Sequence, residues 1–320
     1  MRAALVKRSG ANWSIEIGEA PKPEPAAGEL LVRVHAATVN RTDLGELLHP
    51  FFQRLIVRSS KGRKILGLDF AGEVEAVGAS VSRFKPGDRL FGICPLRRNG
   101  AQADYVVLKE SGAVARIPDS VAYGEAVVGE GAYYASATIE RFAVGPSTNM
   151  LVFGASGAIG SAAAQLAKAA GASVTVAVLP QQLAMAGTLG ADRVVDCTSD
   201  ALVGLGPQFD VVFDAVGKMT ARGWRPLLKP GGHFATTDMG PRGQSLMLMI
   251  RSAISRSGTV SVPLPNRATA QAFFERLAAL MAAGQYRAVI DRSYPLDQIS
   301  DAYRYVQTKQ KAGIVALKVR

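Results

Sequence analysis

The sequence predicts an α/β protein in two parts, one β-rich and the other a doubly wound parallel sheet. Three observations predict it. The first third holds short apolar strands punctuated by glycine turns. Near Ile117-Pro118-Asp119-Ser120 the texture changes, and strands begin to alternate with alanine-rich helices. Between one such strand and one such helix stands a glycine-rich turn at residues 154–160.

Residues 30–36 alternate in part and follow a proline-rich entry at Pro21, Pro23 and Pro25, so they read as a strand. Residues 70–78, bounded by glycine, and 104–108 read as two more. Lys85-Pro86-Gly87-Asp88 and Arg98-Asn99-Gly100 carry turn chemistry. Past the change in texture, strands are expected at 150–153, 173–178, 193–195, 209–214 and 232–236. Helices are expected at 161–170, ended by Gly171, and at 182–189, ended by Gly190. Residues 268–283 form an amphipathic helix stopped by Gly284. Strand patterns return at 288–291 and 314–317 and rejoin the β-rich part. The predicted domains are therefore 1–121 with 286–320, and 122–285.

The chain has 320 residues, 48% hydrophobic and 20% charged, enough for a large core and an ordinary globular composition. Two cysteines, Cys94 and Cys197, make no disulfide framework and suit a reducing compartment. With three histidines besides, they exclude a four-cysteine structural zinc. No apolar run approaches the ~20 residues of a membrane span, and neither terminus carries a signal-peptide or lipidation pattern. A cytoplasmic protein without a transmembrane segment is expected. The net charge of +11 fits an anionic cofactor, a membrane surface or nucleic acid. There is no zinc finger, RNA-binding aromatic signature or long basic run, so specific nucleic-acid binding is not expected.

In Gly154-Ala155-Ser156-Gly157-Ala158-Ile159-Gly160 the glycines suit a tight turn, close approach of backbone to a pyrophosphate, and close helix–strand packing. The helix start supplies N–H groups and a positive dipole end for phosphate. An NAD site expects an acid about 20 residues further on, at the ribose 2′-hydroxyl. Here the second strand exits through Leu179-Pro180-Gln181-Gln182, with neither an acid nor a base. NADPH is favoured, with NADH as the alternative, and the residue that would clamp a 2′-phosphate is not visible.

A series of runs then carries a resemblance along nearly the whole chain: Val39-Asn40-Arg41-Thr42-Asp43; residues 67–78; residues 83–92; residues 100–106; the glycine turn; Leu189-Gly190-Ala191-Asp192; Phe213-Asp214-Ala215-Val216-Gly217; and Lys229-Pro230-Gly231-Gly232. The chain resembles the medium-chain dehydrogenase/reductase superfamily, in its zinc-free, quinone-oxidoreductase-like branch. The resemblance implies a GroES-like catalytic domain made from both chain ends, a Rossmann dinucleotide-binding domain between them, an active site in the intervening cleft, and a homodimer. It implies cofactor contacts at Arg41, the glycine turn, Leu179, Val216 and Gly217.

Against the zinc alcohol dehydrogenases of that superfamily, the three catalytic ligand positions fall at Asn40, Leu68 and near Val127, so no metal is expected. Thr42 matches a hydroxyl that bonds the substrate oxygen; the plainer reading is a hydroxyl satisfying local backbone. Asn40 matches an asparagine near the nicotinamide. Arg41 is either a pyrophosphate contact or a surface ion pair, and Asp43 reads as structural. The resemblance often has threonine where Gly131 stands. Glu130 has two readings: a helix-start acid complementing the dipole, which is preferred, or a partly buried proton donor.

Without a Lewis acid, hydride transfer favours a conjugated acceptor. The leading expectation is zinc-independent, NADPH-dependent reduction of a quinone or of the C=C of an α,β-unsaturated carbonyl, an enal or enone, with Thr42 or a water relaying the proton. Two alternatives stand beside it: a metal-free alcohol or carbonyl dehydrogenase, and a non-catalytic NADPH-binding sensor or interaction protein. A basic loop at 49–64 and a methionine-rich apolar segment at 243–263 are candidates for shaping a small-molecule substrate site or an interface.

Overall fold

The structure, a computed structural model, describes residues 1–9, 12–48, 64–95, 100–238, 247 and 260–320. The basic loop lies outside the described residues apart from Lys64, as does the apolar segment apart from Met247 and residues 260–263. The chain divides into two compact units, Met1–Glu130 with Arg267–Arg320, and Gly131–Asn266.

The first unit opens with strands β1 (Arg2–Ser9), β2 (Asn12–Glu19) and β3 (Glu29–Thr38), then helix α1 (Arg41–Leu48). Strands β4 (Lys64–Ile65), β5 (Asp69–Val77), β6 (Arg89–Ile93), β7 (Tyr105–Lys109) and β8 (Val114–Arg116) follow. Helix α2 (Gly129–Arg141) begins where this stretch ends. The second unit runs through β9 (Asn149–Phe153), α3 (Ala158–Ala169), β10 (Ser173–Val178), α4 (Leu183–Ala186), β11 (Arg193–Asp196) and α5 (Asp200–Val203). It ends with β12 (Phe209–Asp214), α6 (Ala221–Trp224), β13 (Leu228–Thr236) and β14 (Val260–Ser261). The chain then returns to the first unit through α7 (Ala270–Ala282), β15 (Ile290–Pro295), α8 (Ile299–Gln307) and β16 (Ile314–Lys318).

The sequence predicts boundaries at 121/122 and 285/286. The units divide later on one side and earlier on the other because of particular contacts. Past the first cut, the N–H of Glu130 donates to Asp69 Oδ1. Before the second, Phe274 of α7 packs its ring 5.7 Å from that of Phe91 in β6.

Within the first unit the order β15-β16-β3-β5-β6-β8 forms one sheet, with β7 on β3, and β2-β1-β4 forms a second. The C-terminal strand β16 pairs antiparallel with β3, Ala316 opposite Thr38, so both chain ends build one domain. Strand β3 is the hub. Leu30, Val32 and Val34 are fully buried, and their cluster takes in Phe70, Leu90, Val315 and Leu317. Helix α8 buries Ile299, Ala302, Tyr303 and Val306, the one-face spacing of an amphipathic helix, against the same core. Strands β1 and β2 were not foreseen. In β1, Ala3, Ala4, Leu5 and Val6 are all buried, so the alternation that marks a half-exposed strand is missing; β2 does alternate, with buried Ile15 between exposed Ser14 and Glu16.

The second unit is one six-stranded sheet in the order β11-β10-β9-β12-β13-β14, parallel throughout. This is the doubly wound dinucleotide-binding topology, with its switch point between β9 and β12. Expected and observed strands agree at 173–178 and 209–214. The helix ends foreseen at Gly171 and Gly190 are glycines at φ +86° and +71°. The fold is thus the expected mixed α/β one, a GroES-like domain and a Rossmann domain.

Candidate active site

Helix α1 starts on a network of buried polar groups. Asn40 caps it, and Asp43 at its third position reaches back to accept the Asn40 N–H at 2.8 Å, one half of a capping box. The other Asp43 oxygen accepts the Gly67 N–H at 3.1 Å. The amide of Asn40 is committed as well: its Nδ2 donates to Thr38 Oγ1 and to Asp69 Oδ2, both at 2.8 Å. The Thr38 hydroxyl donates to the same Asp69 oxygen at 2.9 Å. Below this layer, Gln102 donates from Nε2 to the Thr38 carbonyl at 2.9 Å and accepts from the Tyr303 hydroxyl at 3.0 Å.

Glu130 sits in the first turn of α2, 3% exposed, and its carboxyl is hydrogen-bonded to the Thr42 hydroxyl. Both readings of Glu130 meet in this position: it is a helix-start acid, and it is buried. Burial, then the charges of Asp69 and Asp43, hold its carboxyl well above the usual range, against the Thr42 bond and Lys311. Asp43 is pushed up to about 7 and Asp69 to about 6, in each case chiefly by burial. Among the described residues, the charge of Lys311 acts on this group. Lys311 donates from Nζ to the Gly313 carbonyl at 2.8 Å. Burial lowers its pKa and Arg41 adds to that, while Glu130, Asp291 and Asp69 oppose it. The chemistry on offer is a neutral buried acid, bonded to a hydroxyl, whose ionised form the charge of Lys311 favours. Arg41, one residue before Thr42, is exposed and has no ion pair among the described residues.

In the second unit the glycine turn leaves β9 and enters α3. Gly154 holds φ +79°, and Gly160 lies so close to the turn that a Cβ there would stand 2.2 Å from the Gly154 carbonyl oxygen. Gly157 caps α3, and a Cβ there would meet nothing nearer than the Gly154 oxygen at 3.8 Å. Its outer face is the open approach that a pyrophosphate needs, in front of the N–H groups of Ala158, Ile159 and Gly160. Ala155 and Ser156 are buried beneath the turn. Leu179 is exposed at the exit of β10. Val216 and Gly217 follow β12, and Val216 packs on Gly154, where a Cβ would fall 2.4 Å from its Cγ2. The residues present fit a dinucleotide. Gly131 is explained here too: a Cβ on it would come within 2.6 Å of the Ala158 carbonyl oxygen, so no side chain has room.

Two family models match the chain: the alcohol dehydrogenase GroES-like domain over residues 26–119 and the zinc-binding dehydrogenase over 189–317. The chloroplastic quinone-oxidoreductase homolog of Spinacia oleracea is 29% identical, over 94% of this chain and 92% of its own. The mitochondrial NAD(P)H oxidoreductase RTN4IP1 of Danio rerio is 27% identical, over 91% and 84%. The solved quinone oxidoreductase from Coxiella burnetii shares the fold at TM-score 0.84 and 22% identity, over 100% of this chain and 99% of its own. The chain belongs to the medium-chain dehydrogenase/reductase superfamily. Within it, the chain falls in the quinone-oxidoreductase-like branch.

The zinc that some members of this superfamily carry does not fit here. Of the three corresponding positions, Leu68 and Val127 are buried and offer no donor atom, and the Asn40 amide is already spent on Thr38 and Asp69. Asp69 and Lys311 escaped the sequence reading of this superfamily member. Asp69 stands within residues 67–78, yet nothing local marks it as the acceptor for Thr38, Asn40 and Glu130. Lys311, in Lys309-Gln310-Lys311, reads as a solvated basic turn.

Proposed function

We propose that this NAD(P)H-dependent oxidoreductase uses NADPH to reduce a quinone, or the C=C of an α,β-unsaturated carbonyl, without zinc. NADPH, when bound, supplies the hydride. The observation that carries the reading is the Thr42–Glu130 hydrogen bond: an acid kept neutral by burial, joined to the hydroxyl that meets the substrate oxygen. Hydride arriving at the β-carbon, or at the quinone ring, leaves negative charge on that oxygen. Thr42 donates to it and takes the proton of Glu130 in turn, and Lys311 steadies the resulting carboxylate. Asn40 is a positioning residue, holding Asp69 and so the start of α2. Arg41 is exposed for a pyrophosphate contact. The glycine turn, Leu179, Val216 and Gly217 hold the dinucleotide, and the absence of an acid at the exit of β10 supports NADPH over NADH.

The test is NADPH oxidation with chelator present, against a benzoquinone, an enal, an enone and a plain ketone, with NADH in parallel. Turnover on the conjugated acceptors alone is expected. Turnover of the plain ketone, or dependence on added zinc, overturns the reading. NADPH binding without turnover on any acceptor would support a non-catalytic binding protein instead.

The same proposal includes a homodimer. Light scattering is expected to return twice the chain mass. No helix among the described residues is long and apolar enough to cross a membrane. A cytoplasmic setting, in keeping with two unpaired cysteines, belongs to this reading.

A further inference from the structure

Asp69 and Glu130 are both buried carboxyls of the first unit, and the hydrogen bonds around them differ in kind. Helix α2 needs an acceptor for its leading N–H groups, and the residues before it, Val127 and Val128, carry none in their side chains. Asp69 supplies one from β5, 61 positions away: its Oδ1 accepts the Glu130 N–H at 2.5 Å. The approach is close. A Cβ on Gly129 would stand 3.1 Å from that oxygen and 2.8 Å from Ile93 Cγ2, so a side chain there would crowd the contact.

The other oxygen, Oδ2, accepts the Thr38 hydroxyl at 2.9 Å and the Asn40 amide at 2.8 Å. A backbone N–H and an amide nitrogen can only donate, and the Thr38 hydroxyl, which already accepts from Asn40 at 2.8 Å, has its proton left to give. Three donors on two oxygens suit a carboxylate, and they leave the proton of a carboxylic acid without an acceptor. Glu130 is met otherwise. Its carboxyl is bonded to the Thr42 hydroxyl, which can accept as well as donate. Burial pushes both acids up. The bonds to Asp69 hold it at about 6, while burial and the charge of Asp69 keep Glu130 well above the usual range.

We infer that Asp69 is the positioning residue of the proton donor: it stays the anion of the pair, anchors the Glu130 backbone, and so leaves the transferable proton on Glu130. This rests on the reading of Glu130 as proton donor above, and it adds the residue that makes this carboxyl, and not its neighbour, the acid. Two carboxyls take opposite roles because their surroundings differ. Asp69 acts through Glu130 and has no part in hydride transfer. The other ionisable groups coupled to the pair are Asp43 of α1, Lys311 before β16, Cys94 after β6 and Tyr286 before β15. Burial keeps the thiol and the phenol neutral.

The test is the pH profile of kcat on an enone with NADPH, for the full chain as wild type, Asp69→Asn, Thr38→Val and Glu130→Gln, with thermal unfolding alongside. The charge of Asp69 raises the Glu130 pKa, so its removal lowers that pKa, and activity that needs the Glu130 proton is lost at lower pH. In Asp69→Asn the basic limb should therefore move to lower pH, and kcat at neutral pH should fall ~10-fold or more. Thr38→Val takes away one donor, favours proton uptake by Asp69, and should move the limb the same way by less. A merely structural Asp69 would lower the unfolding temperature and leave the limb in place. An unshifted limb in Asp69→Asn, or in Thr38→Val should the first variant not fold, overturns the inference and leaves Glu130 as the acid. A Glu130→Gln enzyme with wild-type kcat overturns the reading of Glu130 itself.

Discussion

The Thr42–Glu130 pair concentrates the chemistry in two side chains, and each makes a separable prediction. Glu130→Gln keeps the shape and the hydrogen bond but has no proton to give. Its kcat on an enone is expected to fall ~100-fold or more, the usual range for a lost general acid, with KM for NADPH unchanged. Steady-state kinetics at fixed pH check this, and an unchanged kcat removes Glu130 from the reaction. Lys311 acts on the same acid from the other side. Its charge lowers the Glu130 pKa, so Lys311→Met raises it further. Activity needs Glu130 protonated and is lost as pH rises through that pKa. The variant should therefore keep its activity to higher pH than wild type, with a lower plateau because the carboxylate is less well stabilised. A pH–kcat profile with an unshifted basic limb would show that Lys311 does not act on Glu130.

Among the elements, the turn from β9 into α3 is the least tolerant of change. Gly160 meets the backbone of Gly154 and Ala155, and backbone cannot swing aside as a side-chain tip can. Gly160→Ala is expected to cost ~1–3 kcal/mol of stability, the range for overpacking, and to weaken dinucleotide binding. Gly157→Ala has open space at the Cβ position, so its stability should be close to wild type while a pyrophosphate is pushed away. Thermal unfolding and NADPH titration, run on both variants, separate the two cases. Equal stability losses would mean that both glycines serve packing alone. Helix α1 depends in the same way on its cap, because Asp43 satisfies both the Asn40 and the Gly67 N–H.

For the molecule as a whole, the buried carboxyls tie stability to pH. Asp43 and Asp69 sit at about 7 and about 6 when folded, against an ordinary 3.8. Folded chains therefore bind more protons than unfolded chains between about pH 4 and pH 7. The stabilisation from this source is complete below the unfolded pKa and is lost as pH rises through the folded values. Unfolding free energy should decline across that window, by at most ~1.4 kcal/mol per pH unit for each proton retained. Denaturant titrations between pH 4 and pH 8 measure the slope, and Asp43→Asn should flatten it. A profile that rises through the window would mean that both aspartates are charged when folded.

Much of this protein is written in local sequence. Alternation of strand and helix marks residues 150–236 as a doubly wound sheet, and glycines that take up positive φ end the helices where expected. The turn at 154–160 is legible because its glycines, strand and helix are neighbours in the chain. So are Asn40, Arg41 and Thr42, through the run that carries the family resemblance. What the sequence leaves open are matters of burial and of distant pairing. Glu130 is the plainest instance: in sequence it is a helix-start acid, and only the folding of β5 and α1 around it withdraws its solvent and gives it Thr42 as a partner. Asp69 and Lys311 draw their meaning from residues 20–270 positions away, a relation that no short window along the chain contains. A carboxyl or ammonium is recognised chemically by its surroundings. Those are assembled by strand order and by the return of the C-terminus to β3, after the local elements have formed.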